Sequence, residues 1–502
     1  MTKSSSTHAL PAIVLVYPRT GYDFGFGLAP PHSVLALSAY LESRAVPNRL
    51  VVLDQRVDAD WSARLLRELH ARPLFVGISS MTGVQLKHAL AVARLVRTAS
   101  PATPVVFGGV HVSLLPEQTL RSEWIDMGIV GEGEVPLLSL VQAMNDGDRV
   151  ARSRIPGLAY KDGDRVVVNP RGGVPALSSL PVDRFKGVDV ERYVFTKGSL
   201  LSDRELDLGE TSRGCFRQCA YCYNTVFNQG TWRGLDAAAT VEKIRHHVEA
   251  YRLKSVWLRD DNFFVDVERA AEVIEQVART DLGLYLPGIT IQEFKRLPRE
   301  TLRTLGRMRG AQLRFGVESG SEAMLRLIKK GIRAEEVYEV NRECADHGVV
   351  PSYNFMVGFP TERRADVLAT VNMMKRLKRE NPAAQLNAVN LYTPYPGTAL
   401  FERYRAEFPG AVPVDVEGWT TFHHLNVKKG ELPRRERRMY ENVVATSYVL
   451  SDTLGRSLAG LQRVLLAPIR LWFGLRWRLN AFTLAPEVVI LRKLEKLFLS
   501  IE

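Results

Sequence analysis

Over the first 150 residues, short runs that are apolar throughout alternate with longer stretches of helical periodicity. "AIVLVYP", "NRLVVLD", "LFVGISS", "PVVFGG" and "MGIVGEGE" read as buried strands, and "SVLALSAYLESR", "WSARLLRELHA" and "GVQLKHALAVARLVR" read as the helices between them. Strands apolar on both faces and separated by helices predict a doubly wound parallel sheet covered on both sides. The first strand leads into a loop with Gly25, Gly27, Pro30 and Pro31. Small residues also gather just past later strand ends: Ser79 and Ser80, Gly108 and Gly109, and Gly131, Glu132 and Gly133. In open parallel sheets ligands bind at that edge. One such glycine is a turn, but three such edges in one sheet point to a large flat ligand.

Residues 151–204 form a connector. "IPGLAYKDGDRVVVNP" predicts a hairpin turning at Asp162–Gly163, and "ALSSLPVDRF" reads as loop. From 205 to 429 the alternation resumes, with strands near "ELDLGETSRG", "SVWLRDD", "LYLPGITI", "QLRFGVES", "VPSYNFMVGFP" and "LNAVNLYTPYP". Six strand–helix units fit a partial or complete barrel better than a second open sheet, and polar residues cluster at the strand ends where barrel enzymes keep their chemistry. Residues 430–502 form a basic, apolar helical region. Arg456, Arg463 and Arg470 recur every seven residues on one predicted helical face, Arg476 and Arg478 follow, and Pro468 is expected to kink or break the helix. The region reads either as an amphipathic segment on an anionic membrane surface or as a helical cap on the barrel. The arginines interrupt every apolar run, which argues against a membrane span.

The 502 residues suffice for two to four domains. A composition of 46% hydrophobic and 24% charged residues argues against disorder. The net charge of +12 (67 basic against 55 acidic residues) suits anionic partners without choosing among them. Four cysteines in so long a chain exclude a disulfide framework and fit a reduced, cytoplasmic compartment.

Three of those cysteines, Cys215, Cys219 and Cys222, fall in "TSRGCFRQCAYCYN" with the spacing C-x3-C-x2-C. Zinc sites want a fourth Cys or His, and the nearest histidines, His246 and His247, are not spaced as a ligand pair. A disulfide would leave one thiol over. Three thiolates suit a four-iron cluster whose fourth iron is left open. Cys344 lies among apolar neighbours on a predicted helix and reads as a buried, inert thiol. Asp260 and Asp261 stand at a strand end facing the presumed pocket. His423 and His424 read as ordinary loop or core residues.

With Tyr221 before its last cysteine, this motif resembles the cluster motif of radical S-adenosylmethionine (SAM) enzymes. The likeness continues in "LRDDNFF", in "FGVESGSEAMLRLIKKG", in "NFMVGFPTE" and in "LYTPYPGT". It implies a [4Fe-4S] cluster on Cys215, Cys219 and Cys222, and SAM held by Tyr221, Glu318 at the ribose, Asn354, and Val357 and Gly358 against the adenine. "FGGVHVSLLPEQTL" followed by "DMGIVGEGE" resembles the cobalamin-binding domain fused to many such enzymes. That resemblance implies cobalamin at Ser79, Ser80, Gly108, Gly109, His111, Gly131, Glu132 and Gly133. The D-x-H-x-x-G motif that supplies a histidine beneath cobalt is missing, and "YPRTGYDFGFG" stands in its place. His111 reads as a loop-structuring residue rather than a substitute cobalt ligand.

Both resemblances together imply a cobalamin-dependent radical SAM enzyme. Its expected reaction is methylation of an unactivated sp3 carbon, by 5′-deoxyadenosyl radical hydrogen abstraction and transfer of a methyl group from cobalamin. The alternatives are ring closure or skeletal rearrangement of a lipophilic substrate and, in another class, a non-catalytic cobalamin sensor or membrane-associated scaffold. Methylthiolation of tRNA would call for a second three-cysteine set and an RNA-binding module, and neither is present in the sequence, so no nucleic acid partner is expected. The expected partners are a small or lipophilic substrate, an electron donor of flavodoxin or ferredoxin type, and peripheral membrane contact through the C-terminal region.

Overall fold

The computed structural model describes residues 11–21, 23, 28–148, 150–195, 204–422, 434–457, 460–483 and 485–488. Gly25, Gly27, His423 and His424 lie outside the described residues, as do the side chains of Arg456 and Arg463.

The apolar runs of the N-terminal part become strands β1 (Ile13–Tyr17), β2 (Leu50–Asp54), β3 (Phe75–Ser79), β4 (Val105–Gly108) and β5 (Met127–Ile129). They form a parallel sheet in the order β2-β1-β3-β4-β5. In β1, Ile13, Val14, Leu15 and Val16 are each at most 2% exposed, as expected when helices cover both faces. The strand order reverses between β1 and β3, which opens a crevice at their C-terminal ends.

The predicted hairpin is present as β6 (Leu158–Asp162) and β7 (Arg165–Val168), but it is no free-standing connector. It adds antiparallel to β5 and extends the first sheet to seven strands. Asp162 pairs with Arg165, so the turn residues are Gly163 and Asp164, and Gly163 adopts the left-handed φ of 58° that the tight turn requires.

The second sheet contains β8 (Glu205–Asp207) and, after the ribbon strands β9 (Ser212–Gly214) and β10 (Trp232–Gly234), β11 (Ser255–Trp257), β12 (Gly283–Ile289), β13 (Gln312–Glu318), β14 (Val350–Val357) and β15 (Gln385–Leu391). Its six parallel strands run in the order β15-β14-β13-β12-β11-β8, the curled half-barrel of a (β/α)6 architecture. The expected first strand over "ELDLGETSRG" is in fact two. Between them Gly209 turns with φ 72°, and a Cβ there would stand 2.9 Å from Nδ1 of His32. The chain leaves the barrel at that point, and β9 pairs antiparallel with β10 instead.

Alternation along the barrel strands sorts their side chains. Leu313, Phe315 and Val317 of β13 and Tyr353, Phe355 and Val357 of β14 pack outward into the hydrophobic core. Gln312, Arg314 and Gly316, and Ser352 and Asn354, therefore turn to the lumen.

The C-terminal helices begin as a cap on the barrel edge. The helix Arg434–Leu450 brings Ser447, whose Oγ accepts from Val389 N–H at 2.8 Å. The next helix, Asp452–Ser457, brings Asp452 to Leu386 N–H at 2.8 Å. Both bonds satisfy main-chain donors on the open edge of β15. The helix Gly460–Leu479 follows and runs through Pro468 without breaking. Proline removes only the bond to the carbonyl of Val464, and both residues are solvent-exposed, so water can take that carbonyl. Arg470 turns inward and donates to Val449 O at 2.7 Å and Leu450 O at 3.3 Å, capping the C-terminus of Arg434–Leu450. No helix among the described residues is long and apolar enough to cross a membrane.

Candidate active site

The cysteine loop starts at the end of β9 and is closed by the β9–β10 ribbon. Gly214 has φ 87°, and a Cβ there would overlap the carbonyl of Thr231, so the ribbon closes only around glycine. Distant segments fix the rest of the loop. Gly214 N–H and Tyr223 Oη both donate to the Asp261 carboxylate at 3.0 Å. Ala220 N–H donates to Ile328 O, and Leu400 N–H donates to Ala220 O, each at 2.9 Å. Asp260 is buried, and its Oδ1 accepts from Thr211 N–H at 3.1 Å, Thr211 Oγ1 at 2.9 Å and Ser212 Oγ at 2.5 Å. The two aspartates thus hold both ends of the cysteine loop through protein partners.

Cys219 is buried, and Cys215 and Cys222 are half-buried. Asn262 Nδ2 stands 3.8 Å from Cys215 Sγ. Burial raises the Cys215 thiol above its ordinary range and pushes Cys222 up to about 12. These groups ionise only beside a compensating cation, as thiolate ligands of a metal do. No three His, Cys, Asp or Glu side chains among the described residues form a group that could hold a single metal ion. A four-iron cluster takes one thiolate per iron, so its three sulfurs need not converge on a point as the ligands of one zinc must. The donor set therefore fits a cluster.

Beside the loop, Tyr221 Oη donates to Glu318 Oε1 at 3.0 Å, and Lys330 Nζ reaches Tyr221 Oη at 3.1 Å and Glu318 Oε1 at 3.4 Å. Burial works against the charge on Lys330, but Glu318 outweighs it and holds the ammonium above its ordinary range. Glu318 has φ 73°, a strained conformation for a residue with a side chain. The opening where it sits is shared by Asn354, whose Oδ1 accepts from Asn387 Nδ2 at 2.8 Å. Val357 is completely buried with its side chain turned outward, so only its main chain is available to a ligand. Gly358 has φ 85°, and its N–H donates to Glu362.

At the first sheet's C-terminal edge the candidate residues divide. A Cβ on Gly108 would meet nothing within 4 Å, so this strand end opens into free space. Ser79 lies nearby on β3 and shares a hydrogen bond with Ser33 at 3.1 Å. Gly109 (φ 97°) is required by the loop itself, because a Cβ would stand 2.7 Å from Ser80 O. Ser80 Oγ donates to Gly108 O at 2.9 Å, and Gly131 N–H donates to Ser113 Oγ at 2.9 Å. A Cβ on Gly133 would crowd Leu37 at 3.0 Å. His111 is 1% exposed, pairs with Thr82 Oγ1 at 3.0 Å and packs edge-on against Trp419. Burial lowers its imidazole to about 3, so it is neutral. An open Gly108 flanked by half-exposed Ser79 is the kind of edge a large planar ligand needs. His111 offers that edge no exposed imidazole.

Charged residues that the sequence does not distinguish bind this edge to the cysteine loop. Arg213, two residues before Cys215, pairs with Glu132 at 2.5 Å, Glu134 at 2.8 Å and Glu210 at 2.9 Å. Arg233 shares Glu132, and Arg184 shares Glu210 at 2.5 Å. Burial alone would raise Glu210, but Arg184, Arg213 and Lys243 hold it well below the usual carboxylate range. Arg171, just past the hairpin, donates to Phe227 O at 2.8 Å and Val226 O at 3.2 Å at the loop's exit. His32 Nε2 lies 3.0 Å from Asp207 Oδ1 at the end of β8, and Arg259 takes the other oxygen. Burial would raise Asp207, yet Arg259 and His32 carry it down to about 2. Glu132 is thus engaged by two arginines, whatever ligand the edge takes.

Comparison with known proteins agrees with this geometry. The family model of the radical SAM superfamily matches residues 210–374, and that of the B12 binding domain matches residues 27–141. The chain is 28% identical over 341 residues to an uncharacterized methyltransferase of Pyrococcus horikoshii, covering 66% of this chain and 69% of the relative. It is 26% identical over 386 residues to the anaerobic magnesium-protoporphyrin IX monomethyl ester cyclase of Rubrivivax gelatinosus, covering 74% and 66%. The chain therefore spans about two thirds of the length of these relatives. Its fold superposes with a TM-score of 0.62 on TsrM of Kitasatospora setae, a radical SAM methyltransferase solved with cobalamin and a [4Fe-4S] cluster, at 18% identity over 80% of this chain and 76% of that one. With a cobalamin-type sheet edge facing a cysteine loop at the mouth of a half-barrel, the chain belongs to the cobalamin-dependent radical SAM enzymes, whose cofactors are a [4Fe-4S] cluster, SAM and cobalamin.

Proposed function

We propose that the protein methylates an unactivated sp3 carbon of a small molecule. The observation that carries this reading is the facing of two ligand edges. The C-terminal edge of the first sheet, open at Gly108, is tied by Glu132 and Glu134 to Arg213, at the root of the cysteine loop. A methyl donor and a radical source held by those edges would act on one substrate between them.

In this reading Cys215, Cys219 and Cys222 hold the cluster, and Tyr221, Glu318, Asn354 and the main chain of Val357–Gly358 hold SAM. Ser79, Ser80, Gly108, Gly109 and Gly131–Gly133 line the corrin edge, and His111 stays beneath it as packing. When bound, the cluster and SAM supply a carbon radical able to take hydrogen from an unactivated carbon, and cobalamin supplies the methyl group. The protein's own work is positional. Asp261 holds the thiol loop in register, Lys330 and Tyr221 fix the Glu318 carboxylate, and the Arg213 network sets the distance between the two edges. An acidic electron carrier of flavodoxin or ferredoxin type suits the basic chain.

Peripheral membrane contact belongs to the same proposal. The helix Gly460–Leu479 leaves Val464, Leu465, Leu471, Trp472, Leu475 and Leu479 exposed at helical spacing, with Arg478 beside them. Cosedimentation with phosphatidylglycerol vesicles checks it.

The deciding experiment is anaerobic reconstitution followed by iron and corrinoid analysis, where about four irons and one corrinoid per chain are expected. Methyl transfer then releases S-adenosylhomocysteine together with 5′-deoxyadenosine. Ring closure would give the second without the first.

A further inference from the structure

We infer that Arg314 anchors an anionic oxygen group of the substrate, a carboxylate or a phosphate, inside the barrel lumen. This deepens the proposed function and rests on it for the identity of the reaction. Arg314 lies on β13, and the outward packing of Leu313 and Phe315 on either side turns it into the lumen. Its guanidinium lies over the Tyr285 ring, 5.3 Å from the centroid, and Tyr285 is itself stacked on Trp257 at 4.0 Å. Among the described residues Arg314 forms no hydrogen bond and no ion pair, and its Nε is buried without a partner. Other arginines near the two ligand edges, 184, 213, 233 and 259, have carboxylate partners. The Arg314 side chain is half-buried, with its inner nitrogen out of water and no protein anion on its terminal nitrogens, and that planar fork matches a carboxylate or phosphate.

The groups beside it fit the same ligand. Across the sheet Arg314 is level with Ser352 of β14, and Ser352 is level with Gln385 of β15, so the three form one transverse row. Gln385 Oε1 is buried and has no donor, which leaves an acceptor for a hydroxyl or protonated amine of the same molecule. Asn387 closes the row above, donating to Ser352 Oγ at 3.0 Å and Asn354 Oδ1 at 2.8 Å. The carboxylate of SAM is the other anion that could reach a barrel residue. Glu318, the proposed ribose contact, lies further along β13, and its carboxylate folds back over Gly316, the next lumen-facing position after Arg314. Arg314 lies one lumen-facing position below that carboxylate, and SAM affinity separates a substrate contact from a cofactor contact.

The test uses the full chain reconstituted with iron, sulfide, cobalamin and SAM, with inorganic phosphate as the probe. Saturable broadening of the phosphorus-31 resonance reports binding, and iron, corrinoid and SAM affinity are measured on the same samples. Wild type is expected to bind phosphate saturably. Arg314→Gln should weaken that binding at least tenfold, and Arg314→Lys should fall between them, with SAM affinity unchanged in both. Equal phosphate binding by wild type and Arg314→Gln overturns the inference, because surface cations then carry the signal. A parallel loss of SAM affinity also overturns it, because Arg314 then serves the cofactor. Should Arg314→Gln not fold, Arg314→Lys decides: a loss of at least threefold supports the inference, and none overturns it. A wild type with iron but no corrinoid removes the methyl-transfer reading and leaves the phosphate comparison standing.

Discussion

At the C-terminal edge of the first sheet Gly108 opens into empty space, Gly109 and Gly131 bend the main chain, and His111 is buried and neutral. At the mouth of the barrel the equivalent edge carries a strained Glu318, a buried lysine and three thiols raised by or sheltered in burial. One edge makes room for a ligand by omitting side chains. The other presents side chains that are costly to hold there. A large rigid cofactor needs shape, whereas a cluster and a small charged cofactor need donors. The two edges should therefore fail differently when mutated.

The largest effect is expected at the thiols. Cys219→Ala should abolish iron retention after reconstitution and with it all SAM cleavage, while corrinoid content stays near wild type. Loss of both cofactors together would mean that the edges are not independent. Next comes the clamp between them. Arg213→Ala leaves Glu132, Glu134 and Glu210 facing one another with one cation fewer, and breaking such a buried network costs about 3–5 kcal/mol, visible in thermal or denaturant unfolding.

A paired glycine test separates room from backbone need. Gly109→Ala meets Ser80 O and a left-handed φ, so a loss of stability of about 1–3 kcal/mol is expected. Gly108→Ala should leave stability within about 0.5 kcal/mol, and Gly108→Leu should lower corrinoid affinity without unfolding the chain. A Gly108→Leu protein with normal corrinoid binding would move the ligand to another strand end.

The smallest effect is a pH limb. Asp207 falls from 3.8 to about 2 in the folded chain, so its pairing with Arg259 and His32 is fully present above pH 4. As pH falls below 4 the unfolded carboxyl protonates first and the folded one follows at about 2, so about 2 kcal/mol of stability is lost across that window. Asp207→Asn should flatten that acid limb in a pH-dependent unfolding series.

The order of elements was legible because hydrophobic period is local. All six barrel strands and the five parallel strands of the first sheet follow from apolar runs and flanking turns. The split of β8 from β9 was not, since it depends on Gly209 packing against His32, 177 residues earlier in the chain. Nor could a DG turn say that the hairpin would join the first sheet, because that depends on the main chain of β5. The thiols stood out by scarcity and spacing. Arg171, Arg213 and Arg314 did not, being three among 67 basic residues, distinguished only by what lies opposite them in space. Pro468 misled for a related reason: whether a proline breaks a helix depends on whether the freed carbonyl meets water.

One pair of main-chain bonds has a bearing on how the enzyme comes to life. Ala220, between the second and third thiols, is tied to Ile328 on one side and to Leu400 on the other. A chain emerging from the ribosome displays its thiols long before either partner has been made, so at that stage the loop lacks its final shape. Iron delivered early would meet three loosely tethered sulfurs. Cluster installation is therefore expected to follow synthesis of residue 400, and truncated chains ending before it are expected to carry little iron.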